Sequence, residues 1–448
     1  MPKINMIAAL DAANGIGKDG SIPWNHKEDL RFFKKMTKGK TLIVGRKTYE
    51  TLPESLINDP YRSFIVVSRL SGENYSSSLE DALEYAMTQP NDVFIIGGSK
   101  LYTSALALKT LEFDKIYLTR IDHVYECDTH LEMDLFDYKL VKKEKIDFEH
   151  NSWIETYVPQ NDEQDYLDLM MHIKTYGTKR DDRTGTGVIS SFGHQLKFSL
   201  RNNVIPLLTT KRTFWKGIAE ELLWFIRGDT NSNYLKDRNI HIWDLNTTRE
   251  FLDAKGLSHD EGSIGPGYGF QWRHWNATYE TMYSDYTDKG IDQLDSIIKK
   301  IKENPTDRRL VMSAWNPEQI DQMALPPCHI MCQFYVHTNT QELSLHMYQR
   351  SADMFLGVPF NIASYGLLCH IVAKCCDLKP RELTMSFGDA HIYANHVKQV
   401  SEQCNRQAIE FPTLNILTKR DNISDYVIGD LQLENYNPLP GIKAQMSA

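Results

Sequence analysis

The chain reads as two domains, an N-terminal α/β domain with a mostly parallel sheet flanked by helices and a C-terminal α+β domain with a mixed sheet. Its 448 residues exceed what one hydrophobic core usually supports, so at least two cores are expected. In residues 1–158 short runs rich in Val, Ile and Tyr alternate with helix-like stretches, the pattern of strands connected through crossover helices. Beyond residue 165 helix-like and strand-like segments no longer alternate regularly, which suits an α+β arrangement.

The first strand is expected in INMIAAL (4–10), and Asn14 with Gly15 marks a turn after it. Asp29 falls on the first helix, which continues as LRFF (30–33). TLIVG (41–45), FIVVS (64–68), VFIIG (93–97) and KIYLTRI (115–121) are further strands, with a helix in LEDALEYAMTQ (79–89). Gly97 and Gly98 sit where a buried strand passes into a helix, a junction suited to cradling phosphate. The strand-like WIETYV (153–158) and the helix-like DYLDLMMHIKTYG (165–177) are separated by PQNDEQ, so a short linker is expected at 159–164 between domains at 1–158 and 165–448. In the second half WKGIAEELLWFIRG (215–228) is a helix closing on a glycine cap, whereas CHIMCQFYVH (328–337) and ELSLHMYQR (342–350) read as strands.

The net charge of -9 is spread evenly: residues 1–160 carry 20 basic and 24 acidic side chains and the remainder 30 and 35. Without a basic block, the sequence implies neither a nucleic-acid nor a membrane partner, and anionic ligands would be met by local pockets. Cysteines 127, 328, 332, 369, 375, 376 and 404 form no small-domain framework and no zinc-ligand spacing, so no metal and a reducing compartment are expected. MPKINMIAAL (1–10) begins a strand-like run without a leader, and the protein reads as soluble and cytoplasmic.

Three sets of residues suggest chemistry. Cys328, in ALPPCH (324–329), needs nearby positive charge to be a thiolate at neutral pH, and Arg350 about twenty residues downstream is a source if their strands adjoin. Asp29 lies beside Leu30, Phe32 and Phe33, and Glu221 beside Leu222, Leu223, Trp224 and Phe225; each is either an ordinary structural charge or an acid whose proton affinity burial raises. Arg46, Lys47 and Arg69 fall on two neighbouring strand ends, where they would compensate a phosphate dianion.

INMIAALDAANGIGKDGSIPWNHKEDLRFF (4–33), KTLIVGRKTYETL (40–52), FIVVSR (64–69), FIIGGSKLY (94–102) and KIYLTRIDHVYECDTH (115–130) resemble dihydrofolate reductase in order and spacing. DRTGTG (182–187), IPLLTTKR (205–212), EELLWFIRGDTN (220–231), IWD (242–244), GPGYGFQWR (265–273), PPCH (326–329), QRSADMFLGVPFNIASY (349–365) and GDAHIYANH (388–396) are colinear and resemble thymidylate synthase. The whole chain is similar to the bifunctional dihydrofolate reductase-thymidylate synthases of protists and plants. That resemblance implies a two-step cycle: dUMP and 5,10-methylenetetrahydrofolate give dTMP and dihydrofolate, which NADPH reduces to tetrahydrofolate.

For the reductase half, the resemblance implies that Asp29 hydrogen-bonds the pterin and promotes protonation at nitrogen 5. Ile7, Phe33, Ile96 and Thr119 would line the folate pocket, and Arg62 would pair with the folate α-carboxylate through its planar fork. Gly97, Gly98, Ser99 and Tyr102 would face the NADPH pyrophosphate, Gly45, Arg46, Lys47, Thr48, Ser68 and Arg69 the adenosine and its 2′-phosphate, and Ala9 and Ile16 would complete that set.

For the synthase half, it implies that Cys328 attacks carbon 6 of dUMP, that Glu221 relays protons and that Tyr268 lies near the proton removed from carbon 5. Asn361 would bind the pyrimidine edge, its amide suiting uracil rather than cytosine. Arg183, Arg350 and Ser351 would hold the phosphate, with Arg308 and Arg309 donated by a second subunit. Gln349 and Asp353 would also contact dUMP, Asp353 would orient the folate pterin, and His391 and Tyr393 would hold the deoxyribose hydroxyl. Trp243 and His329 are further site residues, and a homodimer through the C-terminal domain's mixed sheet is implied.

The sequence departs from patterns found in the two families at GGS in place of the GGG of some reductases, SAD in place of SCD or SGD, and Phe355 at a place where Gly occurs in some relatives. Two rival readings are a synthase fused to a catalytically silent folate-binding scaffold, opposed by Asp29, and a dCMP hydroxymethylase, opposed by Asn361.

Overall fold

In the computed structural model, which describes residues 2–70, 74–108, 111–147, 151–182 and 185–445, the near-continuous apolar run Ile4–Leu10 forms strand β1 at the centre of a sheet. Strands β2 (Thr41–Gly45), β3 (Ser63–Val67), β4 (Tyr75–Ser76), β5 (Val93–Ile95), β6 (Lys115–Ile121), β7 (Tyr138–Asp147) and β8 (Ser152–Pro159) complete it. Their order is β4-β3-β2-β5-β1-β6-β8-β7. All pairings from β4 across to β6 are parallel, and only β8 pairs antiparallel, with β6 and β7. Strands buried on both faces tolerate few polar residues, which explains why β1, β2 and β5 read as apolar runs rather than alternations.

Three longer helices flank this sheet. Helix α1 (Lys27–Thr37) is capped by His26, whose Nδ1 accepts the Asp29 backbone N–H at 3.2 Å. Helix α2 (Leu79–Met87) starts at Ser78, which accepts from the Asp81 N–H, and α3 (Ser99–Ala107) follows Gly98.

Two compact units divide the chain, Met1–Gln160 and Asn161–Ala448. The linker expected at 159–164 is shorter than the polar composition suggested. Pro159 still pairs in β8, and helix α4 (Asp162–Tyr176) begins three residues before Asp165, so only Gln160 and Asn161 lie between the two elements. The cause is hydrogen bonding by the polar side chains themselves. Asn161 caps the helix by accepting from the Gln164 N–H at 3.0 Å, and Asp162 accepts from the Ser199 N–H at 2.6 Å. Glu163, fully buried, accepts from the N–H and hydroxyl of both Thr209 and Thr210 at 2.6–3.0 Å.

The second unit is built on a mixed sheet of β9 (Thr178–Arg180), β10 (Val188–Ser199), β11 (Val311–Ser313), β12 (His329–His337), β13 (Glu342–Asp353) and β14 (Lys379–Tyr393). The order is β9-β10-β14-β13-β12-β11, with β13 and β14 parallel and the other neighbours antiparallel. Helices α5 (Trp215–Ile226) and α6 (Gly357–Cys375) pack into its core. Among the described residues α6 is the one helix long and apolar enough to cross a membrane, and it is mostly buried inside this unit. Val311, Met331 and Tyr335 (61% exposed) present apolar side chains on one face of this sheet, and Phe192 (81%) is exposed on β10.

Replacing Glu163 with Ala strands buried donors on Thr209 and Thr210. The expected loss is about 3 kcal/mol of stability in the second unit, measured as a lower urea midpoint for tryptophan fluorescence.

Candidate active sites

The carboxyl ends of β1, β2, β3 and β5 open onto one cleft of about 1800 Å³ in the first unit. Ligands of parallel α/β sheets bind at this edge because the strands stop there and the connecting loops diverge. Each reductase position expected from the sequence lines this cleft except Thr119: Ile7 and Ala9 from β1, Ile16 from the short strand Gly15–Gly17 after it, Asp29 and Phe33 from α1, and Gly45 to Thr48 at the end of β2 and just beyond. Arg62, Ser68 and Arg69 flank β3, and Ile96 to Ser99 with Tyr102 close the cleft from β5 and α3.

The turn from β5 into α3 needs glycine. Gly97 has φ +117°, and a Cβ on Gly98 would stand 2.8 Å from the Thr48 hydroxyl. Gly45 donates its N–H to the Gly97 carbonyl at 2.7 Å, tying two cleft edges together, and the Tyr102 hydroxyl donates to the Ile7 carbonyl at 2.6 Å. Lys47 and Arg69 are exposed on the rim, whereas Arg46 pairs with Glu50 at 2.8 Å.

Burial holds the Asp29 carboxyl above its ordinary range, opposed by the Thr119 hydroxyl and by His26. Thr119 is itself buried, with its hydroxyl beside the carboxyl. The His26 cap that fixes Asp29 escaped the sequence reading, because N-caps are normally sought among Ser, Thr, Asp and Asn. Its other ring nitrogen, Nε2, lies 2.6 Å from the Ser152 hydroxyl.

In the second unit β12, β13 and β14 are adjacent, and their register sets His329 beside Gln349, Ser351 beside Asp389 and Asp353 beside His391. Cys328 immediately precedes β12. Its N–H donates to the Tyr268 hydroxyl at 2.9 Å, and its carbonyl accepts from the Arg350 N–H at 2.9 Å. The Arg350 guanidinium donates to the carbonyls of Pro327 at 2.8 Å and Pro326 at 3.1 Å, fixing a positive charge on the turn that carries the thiol. All seven cysteines are described and all are thiols.

Around this turn the packing is aromatic. Tyr268 lies 4.9 Å from the Phe225 ring, 6.0 Å from Trp243 and 4.4 Å from His329. Its backbone adopts φ +34°, a strained value for a bulky residue, held because Gly269 behind it packs directly on the Phe225 backbone. The Trp243 indole N–H donates to Glu221 at 2.7 Å, and burial pushes that carboxyl up to about 7 against the pull of this bond. His329 shares a 2.8 Å hydrogen bond with the Tyr365 hydroxyl, and burial lowers it to about 3, so the ring is neutral at pH 7.

Gln349 donates to the Asn361 carbonyl oxygen at 3.1 Å and to the Ser351 carbonyl at 3.0 Å, while its own buried oxygen closes no hydrogen bond. Asp353 accepts from the N–H groups of Phe355 and Leu356, and His391 contacts Asp389 at 3.2 Å and the Tyr393 ring at 5.3 Å. Lys211, not singled out from the sequence, is buried, donates to the Phe355 carbonyl and lies 3.7 Å over the Phe355 ring. Burial lowers it to about 8, with Asp353 opposing. Its only sequence signal was a cation ending the otherwise apolar and small run IPLLTT (205–210).

Arg308 and Arg309 are exposed and are not gathered with these groups inside the chain. Arg308 accepts through its carbonyl from Gln333, which lies five residues along β12 from Cys328, about 16 Å at the rise of a strand. Arg183 lies outside the described residues.

The dihydrofolate reductase family model matches residues 3–161, and the thymidylate synthase family model matches residues 164–448. The chain is 41% identical to a bifunctional dihydrofolate reductase-thymidylate synthase of Paramecium tetraurelia, over 99% of this chain and 98% of that protein. It is 40% identical to the bifunctional enzyme of Leishmania major, over 99% and 95%, and 40% identical to that of Zea mays, over 97% and 94%.

The raised carboxyl of Glu221 gives a pH signature. Between its ordinary value of 4.5 and its folded value of about 7, the unfolded chain has released a proton that the folded chain retains, so stability falls as pH rises through this window. In Glu221→Gln that contribution to the slope is absent. Urea midpoints measured from pH 4.5 to 7.5 are expected to favour the variant increasingly up to about pH 7 and to run parallel above it.

Proposed function

The chain belongs to the family of bifunctional dihydrofolate reductase-thymidylate synthases, and on that premise we propose how its residues divide two coupled reactions. The second unit converts dUMP and 5,10-methylenetetrahydrofolate to dTMP and dihydrofolate, and the first reduces dihydrofolate to tetrahydrofolate with NADPH. The observation that carries the assignment of groups is the convergence of Tyr268 and Arg350 on the turn of Cys328, matched in the first unit by a half-buried acid at the wall of the cleft.

In the synthase, the Cys328 thiolate adds to carbon 6 of dUMP and leaves carbon 5 able to form the new carbon–carbon bond. Arg350, with Ser351 and Arg183, holds the phosphate, and the same guanidinium favours the thiolate. Asn361, whose oxygen already accepts from Gln349, turns its amide N–H to the pyrimidine, and the unsatisfied Gln349 oxygen is available to a ring N–H. Glu221 has a proton affinity near neutrality, as a relay requires, and Trp243 orients it. Tyr268 takes part in removing the proton at carbon 5, Asp353 orients the folate, His391 and Tyr393 hold the sugar hydroxyl, and neutral His329 supports the Tyr268 ring.

In the reductase, Asp29 binds the pterin ring and supports protonation at nitrogen 5, with Thr119 able to share the same ligand. Ile7, Phe33 and Ile96 pack on the folate, and Arg62 meets its α-carboxylate. NADPH supplies the hydride when bound. The cleft volume, the glycine turn at 97–98 and the cations Lys47 and Arg69 on the rim fit its dinucleotide and extra phosphate. A half-buried acid in the cleft wall with raised proton affinity favours this active reductase over a silent scaffold.

The exposed apolar residues Phe192, Val311, Met331 and Tyr335 of the sheet mark the proposed homodimer interface, through which Arg308 and Arg309 reach the partner's phosphate site. The thiol state of all seven cysteines suits a reducing cytoplasm.

A coupled assay following dTMP and NADPH oxidation separately tests the division. Cys328→Ala is expected to abolish dTMP, whereas Asp29→Ala should spare dTMP and slow NADPH oxidation about 10²- to 10⁴-fold. Formation of dTMP by the unaltered chain without NADPH consumption, when dihydrofolate is present, would refute the reductase assignment.

The dimer has its own test. Cys328→Ala and Arg308→Ala/Arg309→Ala chains, each inactive alone, are mixed after mild denaturation and refolded together. Shared sites predict recovered dTMP formation in the mixture, and sites confined to one chain predict none.

A further inference from the structure

Arg62 already holds a carboxylate of its own chain. Its side chain is 5% exposed, and each nitrogen of the guanidinium is engaged: Nε with the Thr37 hydroxyl at 3.2 Å, Nη2 with the Lys34 carbonyl at 2.8 Å, and Nη1 with the Asp59 carboxylate. Asp59 is placed by its backbone as well as by the ion pair. It follows the short helix Glu54–Ile57, its N–H donates to the Leu56 carbonyl, and its second oxygen accepts from the Tyr61 N–H at 3.0 Å. Both Asp59 and Arg62 line the cleft. Because Lys34 and Thr37 belong to the last part of α1 and Asp29 to its first turn, the pair lies about 10 Å along the helix from Asp29.

We propose that Asp59 is a specificity-determining residue of the reductase: an internal carboxylate that occupies part of the Arg62 fork and so reduces the advantage of pterin substrates carrying an α-carboxylate. This rests on the assignment of Arg62 as the ligand of that carboxylate. A guanidinium binds an incoming carboxylate best through two parallel N–H donors, and here one edge is already taken by an anion. The incoming group must displace Asp59 or share one positive charge with it at close range, where like charges repel. Lys34 and Lys38 line the same part of the cleft, yet an ammonium is a point charge and cannot replace the planar fork. The effect is confined to ligands with the carboxylate, since the pterin end is held at Asp29.

Removing the Asp59 charge does not release Arg62, because the Lys34 carbonyl and the Thr37 hydroxyl still hold two of its nitrogens. The full chain, saturated with NADPH, is titrated with 7,8-dihydrofolate and with 7,8-dihydropteroate, the same pterin lacking the glutamate. Asp59→Asn is expected to bind dihydrofolate about five- to tenfold more tightly without a matching gain for dihydropteroate. Asp59→Ser, with NADPH affinity as the measure of a folded unit, should widen the same ratio. A ratio that stays constant or narrows in both variants overturns the proposal. Arg62→Leu separates the underlying reading: if it leaves the preference for dihydrofolate intact, Arg62 is not the carboxylate ligand and that assignment fails instead.

Discussion

Burial of ionisable side chains among apolar ones sets the chemistry of both units. Desolvation disfavours whichever form is charged, so it raises Asp29 and Glu221 and lowers His329 and Lys211. These residues come from α1, α5, β12 and the turn before α5, and none is adjacent in sequence to another. Their common state depends on the cores that surround them. The aromatic group of Phe225, Trp243, Tyr268 and Trp272 is therefore a chemical component of the synthase site as well as packing, because it excludes the water that would otherwise restore ordinary proton affinities.

The two sheets deliver their groups differently. In the first unit parallel strands end at one edge, so every loop leaving that edge contributes to one cleft, and residues far apart in sequence line it without special contacts. In the second unit the groups lie along adjacent strands β12, β13 and β14, whose register is fixed by ladder hydrogen bonds. A slip of one residue on β13 would turn Gln349, Ser351 and Asp353 to the opposite face. The parallel pairing of β13 with β14 inside an otherwise antiparallel sheet follows from the long intervening helix α6, which returns the chain to the same end before β14 starts.

Much of this was legible in the sequence, for physical reasons that differ by residue. Gly97 and Gly98 sit at the end of an apolar run, where a strand passes into a helix, so their turn could be placed from pattern alone, whereas Gly45 and Ser68 were marked only by the family motifs around them. Cys328 and Arg350 were separable from ordinary residues only by their surrounding motifs, since pattern does not say that their strands adjoin. The start of α4 was hidden because Asp162, Glu163 and Gln164 look solvent-facing, yet the first two are buried acceptors for backbone and hydroxyl donors. His26 was hidden because its ring substitutes for a more usual cap. Asp59 gave no signal, since the three-residue spacing to Arg62 gains meaning only when the turn between them brings the charges together.

A buried acid becomes useful only if something limits its shift. Desolvation alone would carry a carboxyl far above neutrality, where it would stay protonated through turnover and could donate but not regain a proton at a useful rate. Each acid here has a partial counterweight. Glu221 has the Trp243 indole N–H, a donor that stabilises the carboxylate without bringing a charge, and it settles near neutrality. Asp29 has the Thr119 hydroxyl and His26. Had an arginine stood in either place, the carboxyl would have been fixed as an anion and lost to proton transfer. Among the described residues no arginine shifts either acid, whereas the phosphate and carboxylate ligands proposed elsewhere in the chain are arginines: the first must leave a proton exchangeable, and the second must hold a charge in place.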